Sequence, residues 1–320
     1  MKIILKFIFS LGIIYWLAQS NRLDFSLVKK AWLYPWSLIA CSLMLISQDM
    51  IACFRWMILM KTDGEKKIPF LGYLKTNWIG LFFNSILPGA VTGDLVKMFY
   101  ARQLNPSLSK SFIFTTILLD RVTGLCGIFL LLGIFSIFTY SQIHTEFPRI
   151  IPFLQFNFML LAGVLLFIFF LFLPGNRQNK IVAIFTKIPF IGKKTAHLLG
   201  QGVSISSNKK NMVFTLLLSI VSQTLAILSF WIMILPFTGN AIPFQYAFTL
   251  FPLGFIMIAI PISPAGLGVG HAIFDILFRY FNIEGGASLF NIYFIIMVSL
   301  HLLGGIPYIL SRKKPALNQD

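Results

Sequence analysis

Charge is what this sequence has least of. Asp, Glu, Lys and Arg make up 11% of its 320 residues, against about 25% in an ordinary soluble domain. So sparse a charged set excludes a water-soluble enzyme, and the apolar excess excludes a disordered chain. Cysteine is nearly absent too. Cys41, Cys53 and Cys126 all fall inside apolar runs and make neither a disulfide framework nor a metal spacing. There is no His-Glu-x-x-His, no Gly-x-Ser-x-Gly and no Cys-x-x-Cys, so the common hydrolytic and metal-centre signatures are missing. The longest polar stretch, about 177–210, is too short for a catalytic domain. Apolar residues run on unbroken instead of alternating, which argues against a β-barrel.

What the chain does have is 57% hydrophobic residues, 35 of them Phe. That composition reads as a polytopic α-helical membrane protein. The net charge is +16, from 26 Lys+Arg against 10 Asp+Glu. The basic residues sit mostly between the hydrophobic runs, so they report topology and contact with anionic headgroups, not nucleic acid.

A spanning helix needs about 20 apolar residues. Full spans are expected at about 3–19, 36–60, 111–139, 153–173, 211–236 and 287–310. Lys2 and Lys6 before an apolar run to Ala18-Gln19-Ser20 also fit a cleaved leader, but a retained first span makes better sense of the topology. Two further apolar segments, about 68–103 and 243–281, are interrupted by Leu87-Pro88-Gly89-Ala90-Val91-Thr92-Gly93 and by Pro261 through Gly270. Their halves are too short to cross alone.

Lys/Arg bias sets orientation. The stretch 177–210, with Arg177, Lys180, Lys187, Lys193, Lys194, Lys209 and Lys210, is expected to be cytoplasmic, as are Lys2, Lys6 and the tail Arg312-Lys313-Lys314. Lys61, Lys66, Lys67 and Lys75, around the loop after the second span, and Lys97, Arg102 and Lys110, around the far end of the first broken segment, put both ends of that segment on the cytoplasmic side. It is then a re-entrant hairpin, and the second broken segment re-enters from the outer face. The loop 20–35 is assigned outside although it carries Arg22, Lys29 and Lys30.

The halves repeat each other. Ser47-Gln48 precedes Trp56 as Ser222-Gln223 precedes Trp231, Ile68-Pro69-Phe70 recurs as Ile242-Pro243-Phe244, and Pro88 with its glycines recurs as Pro264 with its own. The offsets are 175, 174 and 176. Each half is span, span, hairpin, span; an odd number of full spans inverts the second half relative to the first. Inverted repeats with paired broken helices point to a transporter-like site.

Irregular backbone is tolerated at membrane depth where it faces protein or a watery cavity. After each break a half-helix begins, near Thr92 and near Val269, and its N–H groups and positive dipole end suit a phosphate. Asp49, Arg55, Asp94, Lys97, Asp120 and Arg121 lie in or beside apolar segments, where each costs about 2.5–3.5 kcal/mol at a helix centre and should be paired. Asp94 and Lys97, three apart, are expected on one face and able to interact. Asp120 and Arg121 point about 100° apart and need separate partners. Arg121 sits about 15 Å into its span, too deep to snorkel. Arg55, near a span end, can snorkel, and Asp49 suits either structural pairing or function. His271 follows the second glycine loop and could titrate or donate to an anion. His144 and His301 stand alone. Ile181, Ile184, Phe185 and Ile188 fit an amphipathic stripe in the basic loop.

Three stretches resemble the lysylphosphatidylglycerol synthase transmembrane-region family, also described as flippase-like. Leu87 through Lys97 is similar to its Pro-Gly…Gly-Asp-x-x-Arg stretch, Asp120-Arg121-Val122-Thr123-Gly124-Leu125 to its acidic-Arg-x-x-Gly-Leu stretch, and Ser263 through His271 to its Ser-Pro-Gly-Gly-Leu-Gly-x-x-Glu stretch. Here Lys97 stands where Arg is usual, Thr92 where Gly is usual and His271 where Glu is usual. Lys lacks the planar fork that grips phosphate with two bonds, and His271 reverses the charge its position could carry. In full-length synthases a soluble domain makes the lipid and the membrane region moves it. With the sequence stopping at Asp320, the resemblance implies lipid translocation or binding, not synthesis. Stand-alone members are also linked to glycan and polyprenyl-lipid pathways.

The expectation is therefore an all-α, single transmembrane domain over 1–320, with inverted halves at about 1–140 and 150–314. Its headgroup site would be formed by Pro88, Gly89, Gly93, Asp94, Lys97, Asp120, Arg121, Pro264, Gly266, Gly268 and His271. The partners expected are membrane lipids, anionic or zwitterionic phospholipid or a polyprenyl phosphate, with a homo-oligomer left open; no nucleic acid, cofactor, metal or catalytic residue is expected. An intramembrane enzyme of polyprenyl-phosphate metabolism and a non-transporting lipid-binding partner are the alternatives. The expected location is the cell membrane with both termini cytoplasmic.

Overall fold

The computed structural model describes residues 26–61, 68–87, 92–185, 192–239, 241–260 and 266–312, with Gly12, Tyr15 and Gln19. The expected first span, apart from those three residues, lies outside the described residues. So do Lys2, Lys6, Pro88, Gly89, Pro264 and the tail after Arg312.

Every described element is helical. In chain order they are α1 (Ser26–Ala31), α2 (Pro35–Leu59), α3 (Phe70–Ile86), α4 (Thr92–Leu104), α5 (Lys110–Glu146), a 3₁₀ turn at Pro148–Ile150, α6 (Ile151–Phe172), α7 (Gly175–Phe185) and α8 (Gly192–Ile205). There follow α9 (Lys209–Thr238), α10 (Phe244–Ala259), α11 (Val269–Arg279), α12 (Gly286–Leu302) and α13 (Gly305–Arg312). Five segments are long and apolar enough to cross a bilayer: Pro35–Leu59, Lys110–Glu146, Pro148–Phe172, Lys209–Thr238 and Gly286–Ser311. They coincide with the five expected spans after the first.

Local chemistry sets the helix starts. Ser109 and Asn208 accept the N–H groups of Phe112 and Asn211 and so cap α5 and α9. Pro35 opens α2 at a position where its missing N–H costs nothing. The last span is two helices and not one. At the joint between α12 and α13, a Cβ on Gly304 would lie 2.1 Å from the Trp78 carbonyl oxygen of α3. Only a glycine lets the backbones approach that closely.

Each broken segment is a pair of packed antiparallel helices. Gly80 faces Gly93 across α3 and α4, and Lys97 reaches back to Asn77. Gly254 faces Phe274 across α10 and α11, and Ile258 lies against Gly266 and Gly270. In the centre, α2 and α9 pack along one another, and α5 packs on both. One apolar core lies around α9–α12, dominated by Phe230, Phe251, Phe274, Phe278 and Phe290. A smaller one, with Cys53, Trp56, Tyr73, Ile113 and Ile117, lies between α2, α3, α4 and α5.

The expected amphipathic loop 177–210 holds α7 and α8, which pack on each other. Gln201 of α8 accepts hydrogen bonds from Ser111 and Thr115 of α5 at 2.8 and 2.9 Å, so α8 lies along the start of α5. That contact revises the depth of Arg121. The 37 residues of α5 make about 55 Å of helix, well beyond the ~30 Å hydrocarbon core. Polar partners flank both ends, Gln201 at one and Tyr246, bonded to Glu146 at 3.1 Å, at the other. Counting residues from Lys110 therefore overstates how deep Arg121 lies.

Candidate functional site

The charges read from the sequence converge where α2, α4, α5 and α9 meet. Their meeting depends on glycine. A Cβ on Gly93 would stand 2.1 Å from the Gly80 carbonyl oxygen and 2.5 Å from the Asn84 side chain. With no side chain there, α4 lies directly on α3, and the Gly93 N–H donates to Asn84 Oδ1 at 2.8 Å. One N–H at the start of α4 is thus already satisfied within the protein, contrary to the expectation that this end is open to a ligand.

Asp94, in the first turn of α4, is favoured by the helix dipole and accepts from Arg121 Nε of α5. Lys97 does not share this carboxylate as its hydrogen-bond partner. It turns to the other side, donating to Asn77 Oδ1 at 3.0 Å, with Nζ 3.9 Å from the Trp56 ring centroid. Lys97 is 6% exposed. Among the described residues, no carboxylate lies within ion-pair distance of it.

Asp120 pairs with Arg55, at 2.8 Å from Nε, and Arg55 Nη1 donates to Ser219 Oγ of α9 at 3.0 Å. Arg55 does not snorkel. It is 5% exposed, because a buried carboxylate and a hydroxyl receive it where its span ends. Gly124, one turn after Asp120, makes the room: a Cβ there would be 3.2 Å from Arg55 Nη2. This gives the Asp120-Arg121…Gly124 spacing a physical meaning. Asp120 and Gly124 form one face that receives Arg55, while Arg121 points away to Asp94. Gln223, of the repeated Ser-Gln pair, donates to the Gly124 carbonyl at 3.2 Å.

A second polar group lies on α2, α3 and α12. Asp49 Oδ2 is 3.4 Å from His301 Nε2, and His301 Nδ1 is 3.1 Å from Ser85 Oγ. Ser85 Oγ is also 3.0 Å from the Leu81 carbonyl. One hydroxyl proton cannot serve both acceptors. When it goes to Leu81, Nδ1 must bring a hydrogen of its own; when it turns to Nδ1, the ring needs none there. Asp49 therefore has a partner, and His301 does not stand alone.

The second hairpin is built differently. His271 is fully buried, against the Phe290 and Phe294 rings. Its Nδ1 accepts the Gly268 N–H at 3.3 Å, and Nε2 is 3.2 Å from Asn291 Oδ1. The first bond requires a bare Nδ1, so the ring donates through Nε2 and is neutral. His271 thus caps α11 from inside. Gly266 and Gly268 take φ of 81° and 80°, the left-handed region that glycine adopts without strain. Sequence reasoning placed all of these in one site with Asp94 and Lys97. The described residues bring Gly93, Asp94, Lys97, Asp120 and Arg121 together, and place Gly266, Gly268 and His271 in the second hairpin, with Gly266 against Ile258 and His271 against Phe290 and Phe294. Pro88, Gly89 and Pro264 lie outside the described residues. Arg55, Ser219, Asn77, Trp56, Ser85 and His301 were missed as site members, and only Arg55 and Trp56 carried a signal, a charge in an apolar run and a repeated aromatic.

Residues 3–305 match the family model described as the lysylphosphatidylglycerol synthase TM region. The chain belongs to that family. No curated protein and no solved structure matches it. The stretches Gly93-Asp94-Leu95-Val96-Lys97 and Asp120-Arg121-Val122-Thr123-Gly124 are here two strips of α4 and α5 that face one another through Asp94 and Arg121. With five candidate spans and this family match, the protein is a multi-pass membrane protein.

Proposed function

We propose that the cluster on α2, α4 and α5 binds the phosphate of a membrane lipid headgroup and that the protein moves that headgroup across the bilayer. The observation that carries this reading is the charge balance. Arg55, Lys97 and Arg121 stand against Asp94 and Asp120, and the surplus cation, Lys97, is buried on Asn77 and the Trp56 ring. A buried cation with no carboxylate in direct contact is costly, and an anion that reaches it relieves that cost. The Asp94–Arg121 pair is the accessible side of the cluster, with side chains 19% and 39% exposed. An anion can meet the cluster there, exchanging partners with Asp94.

The repeat is read as inverted and its hairpins as re-entrant. Pro69 and Pro243 start the first arm of each hairpin, and Gly80 and Gly254, 174 positions apart, both stand where the arms cross. The repeat-related helices α2 and α9 pack together at the centre. The basic loop is read as cytoplasmic, which puts Arg55, four residues before the end of α2, about 6 Å from the cytoplasmic end of its helix. The cluster then faces headgroups of the cytoplasmic leaflet, with Asp49, Ser85 and His301 farther in.

The test is headgroup movement in reconstituted vesicles, with a panel of labelled phospholipids and a polyprenyl phosphate. Wild type should move at least one of them, and Lys97→Ala and Arg121→Ala should not, with the folded fraction unchanged. Wild-type movement that survives both substitutions would reject this site.

A second reading, an intramembrane transferase or hydrolase acting on a lipid, is favoured by Ser85, His301 and Asp49, whose order is that of a nucleophile, base and orienting carboxylate. Labelling of Ser85 by a fluorophosphonate, lost in His301→Gln, would support it; no labelling at Ser85 would dismiss it.

A further inference from the structure

We infer that a cavity of about 280 Å³ between α5, α6, α10 and α11 is a binding site for an apolar chain carrying one hydrogen-bond donor, a hydroxyl or an amide N–H. Its lining is apolar, with Phe129, Phe153, Leu253 and Ile273 among the walls, and besides Tyr280 its one polar side chain is Asn157. Asn157 is 1% exposed. Its amide nitrogen reaches Ser136 Oγ at a long 3.4 Å, and its Oδ1 has no hydrogen-bond partner among the described residues. A buried amide oxygen is rarely left unpaired, and hydrocarbon around a membrane helix offers it nothing.

The site exists because of how α6 packs. Of its 22 residues only Leu154, Asn157 and Leu171 are buried, so the helix rests on α5 and stands off from the second hairpin. The wedge left between them is too apolar to hold water stably and is near the lower end of small-ligand pockets, about 300–1,000 Å³. It admits one chain and not a whole two-chain lipid. An alkyl chain fills the walls, and a donor on it completes Asn157 Oδ1. This inference is independent of the headgroup site, and its readout is binding, not translocation.

The experiment uses the full chain in lipid nanodiscs and three photoreactive probes of equal length, each with a mid-chain diazirine: a long-chain alcohol, an N-alkyl amide and the methyl ether of the alcohol. Crosslinks are mapped by mass spectrometry. The alcohol or the amide should label peptides of α6, α10 or α11 about fivefold more than the ether, the worth of one hydrogen bond. Whichever of the two labels more strongly identifies the donor. Asn157→Leu should bring that labelling down to the ether's level, and Leu253→Trp, which fills the cavity, should abolish labelling by all three. Equal labelling of wild type by donor probes and ether, or no label on these helices, would overturn the assignment without any variant having to fold. Retained preference for the donor in Asn157→Leu would overturn it as well.

Discussion

The Arg55–Asp120 pair can be tested as a buried ion pair and not a surface one, and the two cases differ several-fold in energy. Both side chains are largely buried, at 6% and 13% exposed, and the guanidinium has a second acceptor in Ser219. Asp120→Asn leaves Arg55 charged, buried and short of a counter-ion. Breaking one side of such a pair costs about 3–5 kcal/mol, whereas an exposed pair would lose about 0–1 kcal/mol. At roughly 2 °C per kcal/mol for a large domain, the midpoint of thermal unfolding in detergent should fall by about 6–10 °C. Arg55→Met combined with Asp120→Leu removes both charges and fills the space with hydrocarbon. That double variant should recover most of the loss, because replacing a buried pair by apolar groups is close to neutral. The coupling read from the cycle of Arg55→Met, Asp120→Leu and their double variant should then exceed about 2 kcal/mol. A fall of less than 2 °C in Asp120→Asn, or a double variant no better than the single, would refute the buried pair as the reason Arg55 sits where it does.

Gly93→Ala should prevent the first hairpin from closing, since its Cβ would meet the Gly80 carbonyl at 2.1 Å; the check is folded yield by size-exclusion chromatography, and a normal yield would contradict the packing. Lys97→Met keeps the bulk of the side chain and removes a buried charge that no carboxylate contacts directly, so thermal stability should hold or rise while binding of an anionic lipid, followed by tryptophan fluorescence, is lost. Unchanged binding would remove Lys97 from the site. His271→Ala should cost about 1–3 kcal/mol through the orphaned Gly268 N–H, seen as a lower unfolding midpoint, with headgroup movement per folded molecule unaltered. Loss of movement at full stability would return His271 to the working site.

Spans and breaks were legible because they are one-dimensional signals. A run of apolar residues reports a helix that hydrocarbon surrounds, and Pro with Gly inside such a run reports a turn wherever the partners lie. Pairing is not one-dimensional. Arg55 meets Asp120 from 65 positions away and Ser219 from 164, and only the packing of α2 against α5 and α9 joins them. Its place near a span end fits a snorkelling side chain as well as a buried one, so position misdirects. His301 is still less visible, because Ser85 is 216 positions away. The spacing of Asp94 and Lys97 did put both on the side of α4 that faces protein, but it could not say that Arg121 would take the carboxylate and Asn77 and Trp56 the ammonium.

The two hairpins share an outline and not a chemistry, and this bears on how a headgroup could be held. Matched helix ends approaching from both sides would have offered two equivalent sets of backbone donors. Instead the Gly93 N–H is taken by Asn84 and the Gly268 N–H by His271, so at each start one N–H is already taken. The hairpins then diverge in what surrounds them. The cluster at the start of α4 joins Arg55, Lys97 and Arg121 with Asp94 and Asp120; around α11 stand Phe230, Phe251, Phe274, Phe278 and Phe290, a neutral imidazole, and the ion pair Asp275–Arg279. The carboxylate that α11 does carry, Asp275, is buried and paired with Arg279 of the same helix at 3.1 Å. The proposed headgroup site is therefore placed at α4 and α5, where Arg121 can exchange Asp94 for an anion. On this view His271 serves as a neutral cap, and the ionisable groups of the proposed site belong to the first half and to the helices it packs on.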